Sequence, residues 1–193
     1  MLVLCRVGQI VTVDAQQVRQ EVVRLLREVP RAPEQPFPGG ADDLELADLE
    51  RRLGEPIPSV LADWLQVCKG EAIGPGGVYG ARFGLDPNDV AARRAAHPSW
   101  REQGWLPVAG DGCGNTYVLS TRGPLIGSVG FVDGSEPDDM AYVVASDLWR
   151  FLWFLFRAET GDRRWPFDQH SVLAADPALA ALPGELMPWA GSA

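Results

Sequence analysis

Apolar positions along this chain fall into short β-like runs and helical stripes, and their spacing predicts the order of elements. Residues 2–7 and 10–13 are apolar and β-rich on either side of Gly8-Gln9. A two-residue turn with glycine first predicts a type II′ hairpin there. Asp14 stands where a helix N-cap is needed, with Gln17 three residues on to complete a capping box. Val18, Val22, Leu25 and Val29 give the following helix one apolar stripe. The stretch "PRAPEQPFPGG" (30–40) holds four prolines and two glycines, cannot continue a helix and predicts a linker.

A second helix is predicted from Asp42 or Asp43, with Leu46, Leu49 and Leu53 on one face and Gly54 as its C-terminal stop. A third is predicted from Ser59 to about Cys68, turning Val60, Leu61, Trp64, Leu65 and Cys68 inward and ending at Lys69-Gly70. Residues 70–80 read as a glycine-rich loop, and 86–97 as a short helix capped by Asp86 or Asn88. Strands are predicted at 105–109, 116–120, 125–132 and 141–144, with "VDGSEPDDM" (132–140) as an acidic, turn-rich loop. Ser146 is expected to cap a last helix reaching about Glu159. Leu148, Phe151, Leu152, Leu155 and Phe156 form its inner face, and Trp149, Trp153 and Phe154 make it apolar nearly all round. Such a helix is buried on more than one side. The tail, 160–193, carries Trp165, Phe167, Leu173, Leu182, Met187 and Trp189, and part of it is expected to lie against that helix.

The chain has 193 residues, enough for one domain with appendages, and a formal net charge of −9. That balance argues against non-specific binding to nucleic acid or an anionic membrane, which needs Lys and Arg against phosphate, and suits a basic protein partner. Cys5, Cys68 and Cys113 are far apart and form no Cys-x-x-Cys pair, which fits a reducing compartment better than a disulfide framework. No charged and apolar leader precedes Cys5, so no signal peptide is expected, and "LWRFLWFLF" (148–156) is too short to span a bilayer. A cytoplasmic location is the expectation.

"GWLPVAGDGCGNTYVLS" (104–120) raises the question of chemistry most sharply. A phosphate cradle needs its glycines between a strand and a helix N-terminus; here they lie between two predicted strands, with no Gly-Lys-Ser/Thr. A Cys113 nucleophile needs a base, and nothing aligns His97 or His170 with it. Asp111 and Asn115 supply too few oxygens for a calcium loop, and zinc lacks paired Cys and His. No catalytic residue, metal site or cofactor is therefore assigned. The stretch reads as a hairpin with a tight turn, in which glycines permit positive φ and Asp111 and Asn115 bond nearby backbone.

The order of these motifs resembles the SUKH superfamily of cell-wall assembly regulator-like domains. "LADLERRLGEPIPSVLADWLQVCKG" (46–70) is similar to the family's opening, with Leu53-Gly54, Ile57-Pro58 and Lys69-Gly70 at its helix ends. "WLPVAGDGCGNTYVLS" (105–120) resembles its central hairpin through Leu106-Pro107-Val108, Asp111, Gly112, Gly114 and Tyr117. "IGSVGFVD" (126–133) resembles the next strand and "VVASDLWRFLWFLF" (143–156) the closing helix. Two positions depart from the family: Asn115 and Ser120 stand where acidic residues are common. Any partner contact those acids make is altered here.

The resemblance implies an α+β fold, a mainly antiparallel twisted sheet with flanking helices, over residues 42–158. Residues 1–41 become an N-terminal hairpin–helix extension with its linker, and 159–193 a tail packed on the domain. It also implies a protein-binding module rather than an enzyme, since many bacterial members are immunity proteins that neutralise a cognate toxin. The expected binding face joins Asp111 and Asn115 of the turn to Asp133, Glu136, Asp138 and Asp139 of the acidic loop, with exposed aromatics beside them. A regulatory or scaffold domain for an endogenous partner remains open, as does a small-ligand protein or enzyme whose polar groups converge only in the fold.

Overall fold

The computed structural model of the chain describes residues 14–30, 37, 39–82, 86–162 and 164–190. The hairpin expected over 2–13 and most of the 30–40 linker lie outside the described residues. Four strands form one antiparallel meander paired in chain order: β1 (Trp105–Gly110), β2 (Thr116–Ser120), β3 (Val129–Val132) and β4 (Tyr142–Ala145). Thr116 lies opposite Gly110 on one side and Val132 on the other, so β2 and β3 are the inner strands. The stretch expected as a strand over 125–132 begins only at Val129, because Gly123 and Gly127 take positive φ and Ser128 donates to the Leu125 carbonyl at 2.6 Å, making 123–128 a turn.

Seven helices flank the sheet among the described residues: α1 (Ala15–Glu28), α2 (Asp43–Leu53), α3 (Ser59–Leu65), α4 (Val90–Ala95), α5 (Ser99–Gln103), α6 (Leu148–Glu159) and α7 (Gln169–Ala175). Both sheet faces are covered, as strands with so few polar positions require. Leu119 and Val129 join Phe151 and Leu152 of α6 in the main core, while Val118 and Val132 pack with Trp100 of α5 in a smaller cluster. The architecture is thus α+β with an antiparallel sheet, as expected.

α2 begins and ends as its sequence predicts. Asp42 accepts from the Glu45 N–H at 2.9 Å, Glu45 Oε2 accepts from the Asp42 N–H at 3.0 Å, and Gly54 turns the chain out with φ of +73°. Four other boundaries differ. Asp14 precedes α1, but its side chain makes no cap bond, so the box with Gln17 does not form; Val18, Val22, Leu25 and Leu26 hold α1 on α6 instead. α3 stops at Leu65, and Cys68 reaches the core through a turn closed on the Trp64 carbonyl. α4 is capped by Asp89, not by Asp86 or Asn88, because Asp86 is drawn to Arg82 at 2.8 Å. α6 is capped by Asp147, whose side chain accepts from the Arg150 N–H at 2.9 Å.

Ser146, the expected cap, serves another purpose. Its N–H and hydroxyl donate to the buried Asp176 carboxylate at 2.7 and 2.6 Å, tying the end of β4 to the tail after α7. The apolar girth of α6 is used as predicted. Trp149 meets Trp64 of α3 edge-on, and Phe154 stacks on Trp165 of the tail at 5.9 Å. Trp165 also donates its indole N–H to the Val144 carbonyl at 2.9 Å.

Burial raises the Asp176 carboxyl above the ordinary aspartate range, against the bonds from Ser146 and the charge of Arg150. An acid whose pKa is raised by folding stabilises fully below its unfolded value and loses that contribution as pH rises through the folded value. Wild-type stability should therefore fall relative to Asp176→Asn as pH rises above about 4, with no change in the difference below it. Urea titrations of both proteins between acid and neutral pH measure this difference directly.

Candidate functional site

The turn between β1 and β2 is built by its glycines. Gly112 and Gly114 take positive φ, of +80° and +102°, which bulkier residues avoid. Asp111 Oδ1 accepts from the Cys113 N–H at 2.7 Å and the Asn115 N–H at 3.1 Å, which closes the turn on its own carboxylate. The 70–80 loop lies against it: a Cβ on Gly76 would sit 2.1 Å from the Gly110 carbonyl carbon, so the two backbones meet only because both residues are glycine. Cys113 is exposed at the tip and is a free thiol.

Asn115 carries the turn to the acidic loop. Its Nδ2 donates to Asp111 Oδ2 at 2.6 Å, and its Oδ1 accepts from the Gly134 N–H at 2.9 Å. The loop is gripped on its other side by α5, an element the hydrophobic pattern does not predict. Ser99 Oγ donates to Asp138 Oδ1 at 2.5 Å, Trp100 Nε1 donates to the Pro137 carbonyl at 2.7 Å, and Gln103 donates to the Asp138 carbonyl. Pro98 just before α5 and Gly104 just after it, with φ of +70°, are the sequence signal for this helix.

These bonds bring all six predicted residues to one end of the sheet. Asp111 and Asn115 face inward to hold the turn, and Asp133 folds its own loop. The Ser135 hydroxyl and N–H, at 2.6 and 2.8 Å, hold the Asp133 carboxyl below the usual carboxylate range. Glu136, Asp138 and Asp139 are exposed. None of the four loop acids has an ion pair among the described residues, although acids elsewhere, such as Asp48, Asp63 and Asp89, are paired with arginine. His97 stacks on Trp100 at 4.1 Å; burial and the Arg93 charge push its imidazole down, against the pull of Asp138.

Beside the acids runs an aromatic column set by strand register. Phe131 lies opposite Tyr142, and the rings stack at 4.9 Å; Tyr142 in turn meets Phe167 at 6.0 Å. Phe167 is 64% exposed, so the column opens to solvent. Burial pushes the Tyr142 phenol up, and the negative charges of Asp111 and Asp133 push it further, which places this ring in the field of the rim. Burial likewise raises the deeper Tyr117, which packs between Phe131 and Phe151.

Asn115→Ala removes the bridge between turn and loop without touching the core. The Gly134 amide should then exchange with solvent about tenfold faster, for a local loss of about 1–2 kcal/mol. Unchanged Gly134 exchange would mean that α5 alone holds the loop. No group of three or more His, Cys, Asp or Glu side chains that could hold a metal ion occurs among the described residues. No helix among the described residues is long and apolar enough to cross a membrane.

None of the curated proteins matches the chain. Among solved structures, the crystal structure of a protein from Pseudomonas syringae pv. tomato is similar at 19% identity and a TM-score of 0.47, over 60% of this chain and 83% of that one. A family model describing the SMI1/KNR4 family (SUKH-1) matches residues 40–152, more than half of the sequence and all four strands. The chain belongs to the SMI1/KNR4 family (SUKH-1).

Proposed function

We propose that this chain is a non-enzymatic protein-binding module that neutralises a cognate bacterial toxin, and that it grips the toxin through the carboxylate rim and the aromatic column beside it. The observation that carries the reading is the rim itself. Asp133, Glu136, Asp138 and Asp139 lie without ion pairs, among the described residues, on a loop tethered from two sides, next to an open Phe131–Tyr142–Phe167 stack. Unpaired acids on a held loop offer charge to a partner at little conformational cost. Adjacent tyrosine and phenylalanine supply the rigid apolar anchors that carry binding energy. A basic partner, such as a domain that acts on nucleic acid, matches this face in charge.

The test is capture by the tagged chain from its native host, with the co-eluting proteins identified by mass spectrometry. A basic toxin fragment, lost when the four loop acids are changed together to Asn and Gln, is the expected result. Asn and Gln keep the acceptors that Ser99 and Ser135 use, so the loop stays folded while its charge goes. Recovery of an endogenous cytosolic complex through the same face favours a regulatory domain instead. A small molecule retained on the purified chain, with no protein captured, contradicts the binding-module reading.

A further inference from the structure

A second charged feature lies away from the rim, in a cleft of about 240 Å³ between α2, α4 and α5. Arg52, Arg94 and Arg101 line it, one from each helix, with Leu53, Ala91 and Pro98 among its walls and no acidic residue in its lining. Arg94 is only 4% exposed. Its Nη1 lies 2.6 Å from Glu55 Oε1, but without hydrogen-bond geometry, and Nε, Nη1 and Nη2 have no hydrogen-bond partner among the described residues. Buried donors are almost always bonded, and the Nε and Nη2 donors of Arg94 are among the few here that are not.

The carboxylate beside it is Glu55, whose Oε1 faces Arg94 Nη1 and whose Oε2 lies 3.6 Å from Arg122 Nη2, which leaves Arg94 Nε and Nη2 without an acceptor among the described residues. Arg52 spends its donors on Asp48, Asp89 and the Arg82 carbonyl. Arg101 donates to the Leu53 carbonyl, where it closes the end of α2 over Gly54, and the rest of its fork stays at the lip of the cleft. A chain that carries −9 overall therefore keeps a pocket of guanidinium donors on its α2–α4–α5 side.

We propose that this cleft binds a phosphate-type oxyanion, with Arg94 as its floor and Arg101 as its lip. Planar guanidinium forks match the paired oxygens of such an anion, and donors arriving from two helices, α4 and α5, suit a tetrahedral group with several acceptors. The volume admits an oxyanion with attendant water but is small for a drug-sized ligand. Free phosphate and the terminal group of a small phosphomonoester present the same chemistry.

The experiment titrates the full chain with inorganic phosphate and, separately, with glycerol phosphate at constant ionic strength. It reads heat by calorimetry and the Arg94 Nε–H by NMR. Saturable binding that moves the Arg94 resonance is expected, falling at least about tenfold in Arg94→Met and in Arg101→Ala. Tighter binding of glycerol phosphate assigns the site to a phosphomonoester, and equal binding assigns it to phosphate itself. Arg101→Ala leaves the core intact, so the test stands if Arg94→Met fails to fold. No saturable binding by the wild type, or affinity unchanged in the folded variants, overturns the proposal.

Discussion

Asp89→Ala should lower the stability of the chain by about 3–5 kcal/mol, enough to unfold much of it under mild denaturant. Asp89 is fully buried and does three things at once. Its Oδ1 accepts from the Ala92 N–H at 2.7 Å, capping α4, and pairs with Arg52 Nη1 at 2.7 Å. Its Oδ2 accepts from the Arg82 N–H at 3.1 Å, and its own residue bridges to Gly80. Alanine leaves a half-buried guanidinium and two backbone donors without this partner. Arg52 keeps Asp48 and the Arg82 carbonyl, so most of the cost comes from the two backbone donors left unsatisfied and the lost cap. Asp89→Asn keeps the cap acceptor and should recover about 1 kcal/mol of the loss. Urea midpoints at unchanged slope measure both values; an Asp89→Ala loss below about 1 kcal/mol would mean that the Arg52 contact adds nothing to the cap.

Trp64→Ala should cost a similar amount, about 3–5 kcal/mol, for a different reason. Trp64 is among the largest fully buried side chains and joins α3 to α6. Its ring meets Trp149 edge-on at 5.8 Å and Phe156 at 6.0 Å. Alanine removes both contacts and leaves a cavity between α3 and α6, and α6 is pinned elsewhere by β4 and α1, so collapse is limited. Trp64→Phe fills most of that volume and should cost about half as much. Equal losses in the two variants would show that the indole shape, and not its volume, holds the layer.

Much of this fold was legible in the sequence because it is specified locally. Gly54 after a run of leucines, Asp42 with Glu45, and the apolar runs around 105–109 and 116–120 each commit a short stretch to one conformation. The helix caps that were misplaced depend on partners far away. Asp86 and Asn88 read as the cap of α4, but Asp86 is drawn to Arg82, and Asp89, held by Arg52 from 37 residues upstream, takes the place. Ser146 is diverted from α6 by Asp176, 30 residues downstream. α5 is only five residues long, too short for a helical stripe to register.

The candidate site divides the same way. Its acids were visible as a loop, and Asp111 with Asn115 as a turn. What was not visible is their union through Gly134, the grip of Ser99, Trp100 and Gln103, and the Phe131–Tyr142 stack, which exists only once β3 and β4 are in register. Arg94 offered no signal at all, because an arginine reads as surface until the fold buries it.

The most direct test of the central claim is rescue in cells. The polypeptide encoded beside this chain's gene is expressed in a bacterial host, alone and with either the wild type or the variant whose Asp133, Glu136, Asp138 and Asp139 are changed to Asn and Gln. The account predicts growth arrest relieved by the wild type and not by the variant, with association of the purified pair slowed at least about tenfold at low salt. Rescue that is equal in both, or a neighbour that is not toxic, would contradict it.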